Sequence, residues 1–315
     1  MGTPFFPFPR HTASGPGPLP WAARVLAWCA LGLLCGGLLA CSPRELLVRE
    51  VGNALASQGQ QAEEDLALAR DASPFYLKLS ESLLAQSPGH LPLAEAVAGG
   101  FTQYAYAFVA FEAERLAPRD ASAAHALNER ARRLYRRAHR HAMAALEQVS
   151  PGFAARLMAP AGATPGPSLE PQWVGLAYWA AASWAGAIAL SKDDPDAVAD
   201  LPAAVRLAGL AHAVSPGHGQ GALASLMGTL EAARPGGSPT QAARYFDEAV
   251  AAGLGLNAGV YVARAEALAL PAGDRQAFGQ LLGQALAAAA RRRDLSNDVM
   301  RERATWLLGS ADDFF

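Results

Sequence analysis

Apolar positions recur at helical spacing along most of this chain. Between residues 92 and 149 they return every three or four positions, and prolines, glycines and polar pairs separate the periodic stretches. No stretch shows the sustained alternation of apolar and polar residues that predicts a half-buried strand. Alanine, the best helix former, dominates the chain after residue 41. The pattern therefore predicts an all-α protein. The predicted helices cover residues 63–71, 75–87, 92–116, 122–149, 173–190, 201–214, 219–234, 240–252, 257–270, 274–293 and 296–308.

Residues 173–190 carry no charge. Eighteen such residues are long enough, by length alone, to cross a membrane. Ten of them are alanine, glycine or serine, whose transfer into lipid gains little. A helix surrounded by other helices therefore fits the composition better than a second membrane span.

Several predicted helices form pairs that suggest helical-hairpin repeats. In the tetratricopeptide pattern, small side chains let paired helices touch, and an aromatic ring four residues further on fills the space between neighbours. Two segments match this pattern, and a third keeps the spacing without the aromatic. They are Ala131, Tyr135 and Ala138; Ala242, Phe246 and Ala249; and Ala204, Ala208 and Ala211. The interval between copies is not constant. The prediction is a degenerate tetratricopeptide-like α-solenoid, with chance matches in an alanine-rich chain as the alternative.

The apolar run over residues 25–40 follows Arg10 and Arg24 and ends in Leu38-Leu39-Ala40-Cys41. A positive start, an apolar centre and small residues before a cut are typical of a secretory signal. With cysteine after the cut, the pattern resembles the lipobox of bacterial lipoproteins, in which the thiol receives a diacylglycerol. The sequence therefore predicts a signal peptide over 1–40 and a lipid on Cys41. An uncut anchor is the alternative, but its helix would span only about 24 Å of the ~30 Å hydrocarbon core.

Composition removes several classes of function. Cys29 and Cys35 would leave with the signal peptide and Cys41 would be acylated, so the rest of the chain would have no disulfide, thiolate metal site or cysteine nucleophile. The 26 basic and 28 acidic residues give a net charge of −2, which does not favour a nucleic-acid partner. We expect one all-helical domain over residues 41–315, with a Gly- and Pro-rich linker near 151–171 as the candidate internal boundary.

The residues that could carry catalysis or bind a metal are scattered. The sequence has no His-Glu-x-x-His, nucleophile elbow or phosphate loop. The aspartates within 193–196 lack the spaced ligands of a calcium loop. Glu112 and Glu114 face apart on a helix, which argues against a catalytic carboxylate pair. We expect no catalytic residue, no metal site and no cofactor apart from the covalent lipid on Cys41. The six histidines after it are expected at surface or loop positions.

Two features are candidates for binding. The helix over 122–149 carries six arginines, which indicate a solvated face, a partner-binding face or a contact with an anionic membrane. Trp179 and Trp184 fall on different faces of one helix, so one of them could line an apolar groove. Tyr104 belongs to an aromatic stripe on another helix. Tyr104, Trp179 and Trp184 are therefore the candidate ligand- or partner-binding residues, with packing between helices as the alternative.

In their order along the chain, these features resemble the TatT family, the T-component lipoproteins of TRAP-type (tripartite ATP-independent periplasmic) transporters. The resemblance covers most of residues 41–315. The leader is longer and the repeats are more degenerate than the family pattern. The segments that carry the resemblance are Phe101-x2-Tyr104-Ala-Tyr106-Ala-Phe108-Val109, Ala131-x3-Tyr135-x2-Ala138, Tyr178-Trp179-x4-Trp184, Gly236-Gly237 before Ala242-x3-Phe246-x2-Ala249, Leu295-Ser-Asn297, and Leu307-Leu308 with the tail Asp312-Asp313-Phe314-Phe315.

The resemblance implies a tetratricopeptide-like fold, self-association as a trimer, and a hydrophobic cleft. It implies a membrane-anchored periplasmic lipoprotein, not an enzyme, that binds a TRAP-type solute-binding protein and takes up a hydrophobic ligand in transport. A general helical-repeat scaffold lipoprotein for cell-envelope assembly is the alternative, and an envelope hydrolase would need a catalytic pair that the sequence lacks. Ser42, directly after Cys41, favours the outer over the inner membrane.

Overall fold

The computed structural model describes residues 21, 50–55, 65–159 and 167–315. The chain divides into two compact units, Met1–Leu47 and Val48–Phe315. Of the first unit only Trp21 is described, so Cys41 and the rest of the predicted signal peptide lie outside the described residues. The described part of the second unit is all-helical, which confirms the predicted fold class. Its helices are α1 (Leu66–Gln86), α2 (Leu91–Tyr104), α3 (Phe111–Leu116), α4 (Ala121–Val149), α5 (Phe153–Met158), α6 (Val174–Ala189), α7 (Pro195–Ala199), α8 (Leu201–Val214), α9 (Ala222–Ala233), α10 (Pro239–Ala252), α11 (Ala258–Arg264), α12 (Arg275–Arg291), α13 (Leu295–Gly309) and α14 (Ala311–Phe314).

Aspartate side chains cap several of these helices. Asp65, Asp120 and Asp274 accept hydrogen bonds from backbone N–H groups in the first turns of α1, α4 and α12. Such caps satisfy donors that have no partner within the helix. The sequence pattern suggests Ser296 as the cap of the last long helix, but the structure places Asp294 there, 2.8 Å from the backbone nitrogen of residue 297.

Helix α1 differs from its prediction because it continues through Pro74. A proline removes one backbone donor and usually ends or kinks a helix. Here the hydroxyl of Ser73 donates to the carbonyl oxygen of Ala69 in the same turn. Beyond the proline, Leu77 and Leu84 are buried. Tertiary burial of the second half therefore joins two predicted helices into one.

Two helices run into wider π-helical turns. Ala105–Ala110 joins α2 to α3, and Ala265–Ala269 extends α11. A π-helical turn inserts one residue into the helical repeat, and such turns are frequent at functional sites. In this fold they bring Tyr106 and Glu266 to the same guanidinium group, that of Arg303.

The uncharged helix α6 packs against α2, α4 and α8, and most of its side chains are buried. The buried-helix prediction for residues 173–190 is therefore confirmed. Among the described residues, one stretch, Pro195–Val214, is long and apolar enough to cross a membrane by length and composition. In the structure this stretch is two helices, α7 and α8, which meet at Asp200.

Helices α9 and α10 form a hairpin with the packing that the predicted motif requires. Ala242, Phe246 and Ala249 are fully buried. Gly228 lies so close to the Phe246 ring that a Cβ would be 2.9 Å from its Cε2 atom. Gly221 has a φ of 86°, and a Cβ there would collide with the Ala249 carbonyl. Whether these hairpins belong to the tetratricopeptide class stays a prediction.

The stretch predicted as a linker contains a short helix, α5. Its Phe153 and Leu157 are buried in the same apolar core as α2, α4 and α6. Arg206 on α8 donates to the carbonyl oxygen of Ala159 over 3.0 Å. Residues 160–166 lie outside the described part of the chain. The described part of this stretch thus packs within the same compact unit as the helices around it.

Helix α13 is connected to α11 by a buried amide. The Asn297 side chain is 3 % exposed, accepts from the Ala258 backbone N–H, and donates to the carbonyl oxygens of Leu256 and Arg292. This one side chain therefore satisfies three backbone groups from two segments.

The same helix returns to the N-terminal helices. It contacts α1, and the Trp306 ring meets the Phe111 ring edge-on with centroids 5.5 Å apart. Glu302 accepts from Arg115 at 3.0 Å. The end of the chain thus packs directly against α1 and α3.

Candidate functional site

A cavity of about 480 Å³, which we call the larger cavity, lies between α1, the start of α2 and α4. Its volume is in the range of small-molecule sites, and apolar side chains dominate its lining, as is usual for such sites. The polar lining residues come from the second half of α1 and from α4. The lining residues are Lys78, Glu81, Ser82, Leu84, Ala85, Pro88, Ala94, His141, Ala144, Ala145 and Gln148.

Glu81 is the charged centre of the larger cavity. Its carboxylate accepts two hydrogen bonds from Arg137, one from Lys78 at 2.6 Å, and lies 2.9 Å from His141 Nε2. Burial by itself raises the pKa of this carboxyl, but the hydrogen bonds from Arg137, Lys78 and His141 outweigh it and lower the pKa to about 2. Glu81 is therefore a fixed anion at neutral pH and not a general base.

A smaller cavity of about 260 Å³ lies beside α4, α6 and α7. His139 and Trp184 form one wall, with ring centroids 4.5 Å apart. The indole Nε1 of Trp184 donates to the Asp200 carboxylate at 3.2 Å. Two exposed arginines, Arg136 and Arg140, stand at the rim. This smaller cavity combines an aromatic wall with positive charge.

The three predicted binding residues lie in different surroundings. Trp184 lines the smaller cavity. Trp179 packs against the α2 backbone, where a Cβ on Gly99 would be 2.7 Å from the indole, and against Tyr178. Tyr104 is buried, and its hydroxyl accepts from Arg130 at 3.2 Å. The contacts described for Tyr104 and Trp179 are therefore packing contacts, and of the three only Trp184 borders either cavity.

A buried ion-pair cluster around Arg303 was not found by sequence reasoning. The Arg303 guanidinium, on a residue 5 % exposed, donates to Glu266 at 2.6 Å and to Glu114 at 2.9 Å. It also lies 5.3 Å from the Tyr106 ring centroid and 5.2 Å from that of Phe111. These residues are up to 197 positions apart in sequence, from 106 to 303, and no local spacing connects them.

The arginines of α4 do not form one uniform charged face. Arg137 pairs with Glu81, Arg132 with Glu129, and Arg136 lies 3.8 Å from Asp194. Arg133 and Arg140 are exposed, and neither takes part in an ion pair among the described residues. The expectation of a simple solvated face therefore holds for only part of this helix.

The residues considered for catalysis or metal binding have structural roles. Within residues 50–55, 65–159 and 167–315, no group of three or more His, Cys, Asp or Glu side chains could hold a metal ion. Asp194 caps α7. The histidines were expected at surface or loop positions; His90 lies in the loop before α2, where it is buried and caps that helix, and His139 lies within α4, partly exposed, with its Nδ1 3.0 Å from the Ala180 carbonyl oxygen. Glu112 and Glu114 pair with different arginines, which agrees with their predicted opposite orientation.

The chain is similar to a protein of known sequence and matches a protein family. A protein of Treponema pallidum (strain Nichols), described as uncharacterised, is 29 % identical over 262 residues, covering 80 % of this chain and 81 % of its own length. The family described as TRAP transporter T-component matches residues 62–315, which include nearly all of the described helices. The protein therefore belongs to the family of TRAP transporter T-components.

Proposed function

We propose that this protein is a lipid-anchored envelope component that binds the periplasmic solute-binding protein of a TRAP-type transporter. The observation that carries this proposal is the family match over residues 62–315. The lipid on Cys41 would hold the protein at the membrane and leave residues 48–315 in the periplasm. No catalytic role is assigned, because the charged residues of both cavities are engaged in hydrogen bonds or stand at a solvated rim.

The larger cavity is the proposed site for an apolar ligand. Leu84, Ala94 and Ala145 border it and are themselves held in the buried core, so this part of the cavity is apolar and fixed by the packing around it. Transfer of apolar surface from water into such a cavity is favourable in proportion to its area. The Glu81 network at one end would orient a ligand that carries a single polar group.

An exposed apolar stripe on α1 is the proposed surface for self-association. Leu68, Ala72, Phe75 and Leu79 are exposed and lie at the i, i+4, i+7 and i+11 positions of one helix face. The side chain of Phe75 is 76 % exposed, which is unusual for an aromatic residue in a helix. Homo-oligomer interfaces are more apolar than the remaining surface, so a second copy of this chain is a suitable partner.

The change Phe75→Asp should therefore shift the protein from oligomer to monomer. A charge at the centre of an apolar interface must lose its water, and we expect a subunit dissociation constant at least ~30-fold higher. Analytical ultracentrifugation of the lipidated protein in detergent measures the change. Leu254→Asp is the matched control, because Leu254 is also an apolar residue, is 78 % exposed, and lies outside α1 in the turn after α10. Equal behaviour of Phe75→Asp and the wild type would contradict the assignment.

Affinity capture of the tagged, lipidated protein from envelope extract, followed by mass spectrometry, tests the proposed function. We expect a solute-binding protein at a fixed ratio to the bait. Recovery of envelope-assembly proteins alone would favour the scaffold alternative. Capture with Phe75→Asp, which should leave the cavities intact, separates partner binding from self-association.

A further inference from the structure

The smaller cavity is lined by charged and aromatic side chains to which the proposed function assigns no role. Helix α4 supplies Arg136, His139 and Arg140, helix α6 supplies Trp184, and Asp200 comes from the junction of α7 and α8. Three separate elements thus bring charged and aromatic side chains together around about 260 Å³. That volume lies just below the usual range for drug-sized ligands, so the cavity suits a compact molecule.

The charges around the smaller cavity are arranged asymmetrically. Arg136 is exposed, and its guanidinium lies 3.8 Å from the Asp194 carboxylate, which is too far for a hydrogen bond. The guanidinium therefore keeps free donors. Arg140 is exposed and in no ion pair within the described part of the chain. The Asp200 carboxylate, from the junction of α7 and α8, is engaged by the indole N–H of Trp184. The rim formed by α4 is therefore positively charged, whereas the one acidic group that lines the cavity is already engaged in a hydrogen bond.

The inner wall is apolar and contains one neutral polar group. Ala187 and Ile188 are buried beside Trp184. His139 lies 3.0 Å from the Ala180 carbonyl oxygen, and a carbonyl can only accept, so its Nδ1 carries the proton. Burial lowers the pKa of His139, although that hydrogen bond offsets part of the effect. The imidazole is therefore neutral at pH 7 and adds aromatic surface, not charge.

We propose that the smaller cavity binds a small organic anion, whose carboxylate lies between Arg136 and Arg140 and whose apolar body packs against Trp184 and Ile188. Arginine is suited to this role because its planar guanidinium donates two parallel hydrogen bonds to a carboxylate. The indole and the isoleucine side chain cover the apolar part, and the Asp200 carboxylate, which also lines the cavity, repels a second negative group. This site is separate from the larger cavity and does not depend on the identity of any transport partner.

Calorimetric titration of the full-length protein in detergent with benzoate tests the proposal. Benzamide has the same ring and a similar size without the charge, so it should bind at least ~tenfold more weakly. Arg136→Gln and Arg140→Gln should each weaken benzoate binding about tenfold. Arg133→Gln is the matched control, because Arg133 is also exposed on α4 but does not line the cavity. It should leave the affinity unchanged.

A second measurement separates a built site from general charge attraction. Inorganic phosphate carries negative charge but no apolar body, so Trp184→Leu should weaken benzoate binding while leaving any weak phosphate binding unchanged. Because Trp184→Leu could also loosen α6, Ile188→Ala serves as a milder variant with the same expected direction. The proposal would be overturned if the Arg133 and Arg140 variants lost benzoate affinity equally, or if benzoate and benzamide bound with equal affinity. It would also be overturned if the wild type did not bind benzoate.

Discussion

Replacing Arg303 with methionine should lower the free energy of unfolding by about 3 kcal/mol at pH 7. The substitution keeps apolar contact with Tyr106 and Phe111 but removes the guanidinium that binds Glu114 and Glu266. Breaking a buried ion pair from one side costs about 3–5 kcal/mol, because the remaining charge stays desolvated. We use the lower limit since the Glu114 side chain is 42 % exposed and keeps some of its water.

Urea denaturation followed by circular dichroism measures this change. Arg291→Met is the control, because Arg291 is exposed at the end of α12 and should change the stability by less than about 0.5 kcal/mol. Adding Glu266→Gln to the Arg303→Met background should restore part of the loss, since it removes one of the two unpaired carboxylates. A loss below about 1 kcal/mol for Arg303→Met would show that the cluster does not hold α13 to the N-terminal helices.

Glu81→Gln should destabilise the protein by about 2 kcal/mol at pH 7, and by progressively less as the pH falls towards 2. The pKa of Glu81 is about 2 in the folded protein and 4.5 as its ordinary value. A carboxyl with a lowered folded pKa stabilises the fold above its ordinary pKa, and this stabilisation is lost as the pH falls through the folded value. The window of the effect is therefore roughly pH 4.5 to 2.

Unfolding measured at several pH values distinguishes the two proteins. The wild type should lose stability more steeply than Glu81→Gln between pH 4.5 and 2. Glu112→Gln serves as the control, because the Glu112 side chain is 48 % exposed and its nearest cation, Arg115, is 3.9 Å away. Parallel stability curves for the wild type and Glu81→Gln across this window would contradict the assigned hydrogen-bond network.

Most of the helices were predictable because their periodicity and their ends are encoded locally. The 201–214 helix begins and ends as predicted, and α4 and α6 begin within one residue of the prediction. The small and aromatic residues of the hairpin motif were also predictable, since Phe246 needs a glycine or alanine opposite it wherever the pair forms. Asn297, part of a segment that carried the resemblance, proved to be buried and hydrogen-bonded to three backbone groups.

The candidate site was much less predictable. Trp184 was singled out by its place on an uncharged helix and lines the smaller cavity, while its role in binding stays a prediction. Nothing in the local sequence separates it from Trp179, because both are tryptophans on the same helix. Which of them packs on the α2 backbone depends on the position of Gly99, a residue from a different helix. The partner of Glu81 was equally hidden, since Arg137 lies 56 residues away.

By itself, the sequence determined the helical fold class, the burial of α6 and the resemblance to T-components, because helix propensity, periodicity and motif order are local properties of the chain. Only the tertiary structure decided that Pro74 stays within one helix, that two π-helical turns meet at Arg303, and that Arg136, Arg140 and Trp184 surround one cavity. The physical reason is that these outcomes depend on which distant side chains share a buried volume, where a charge needs a partner and an apolar surface needs a neighbour.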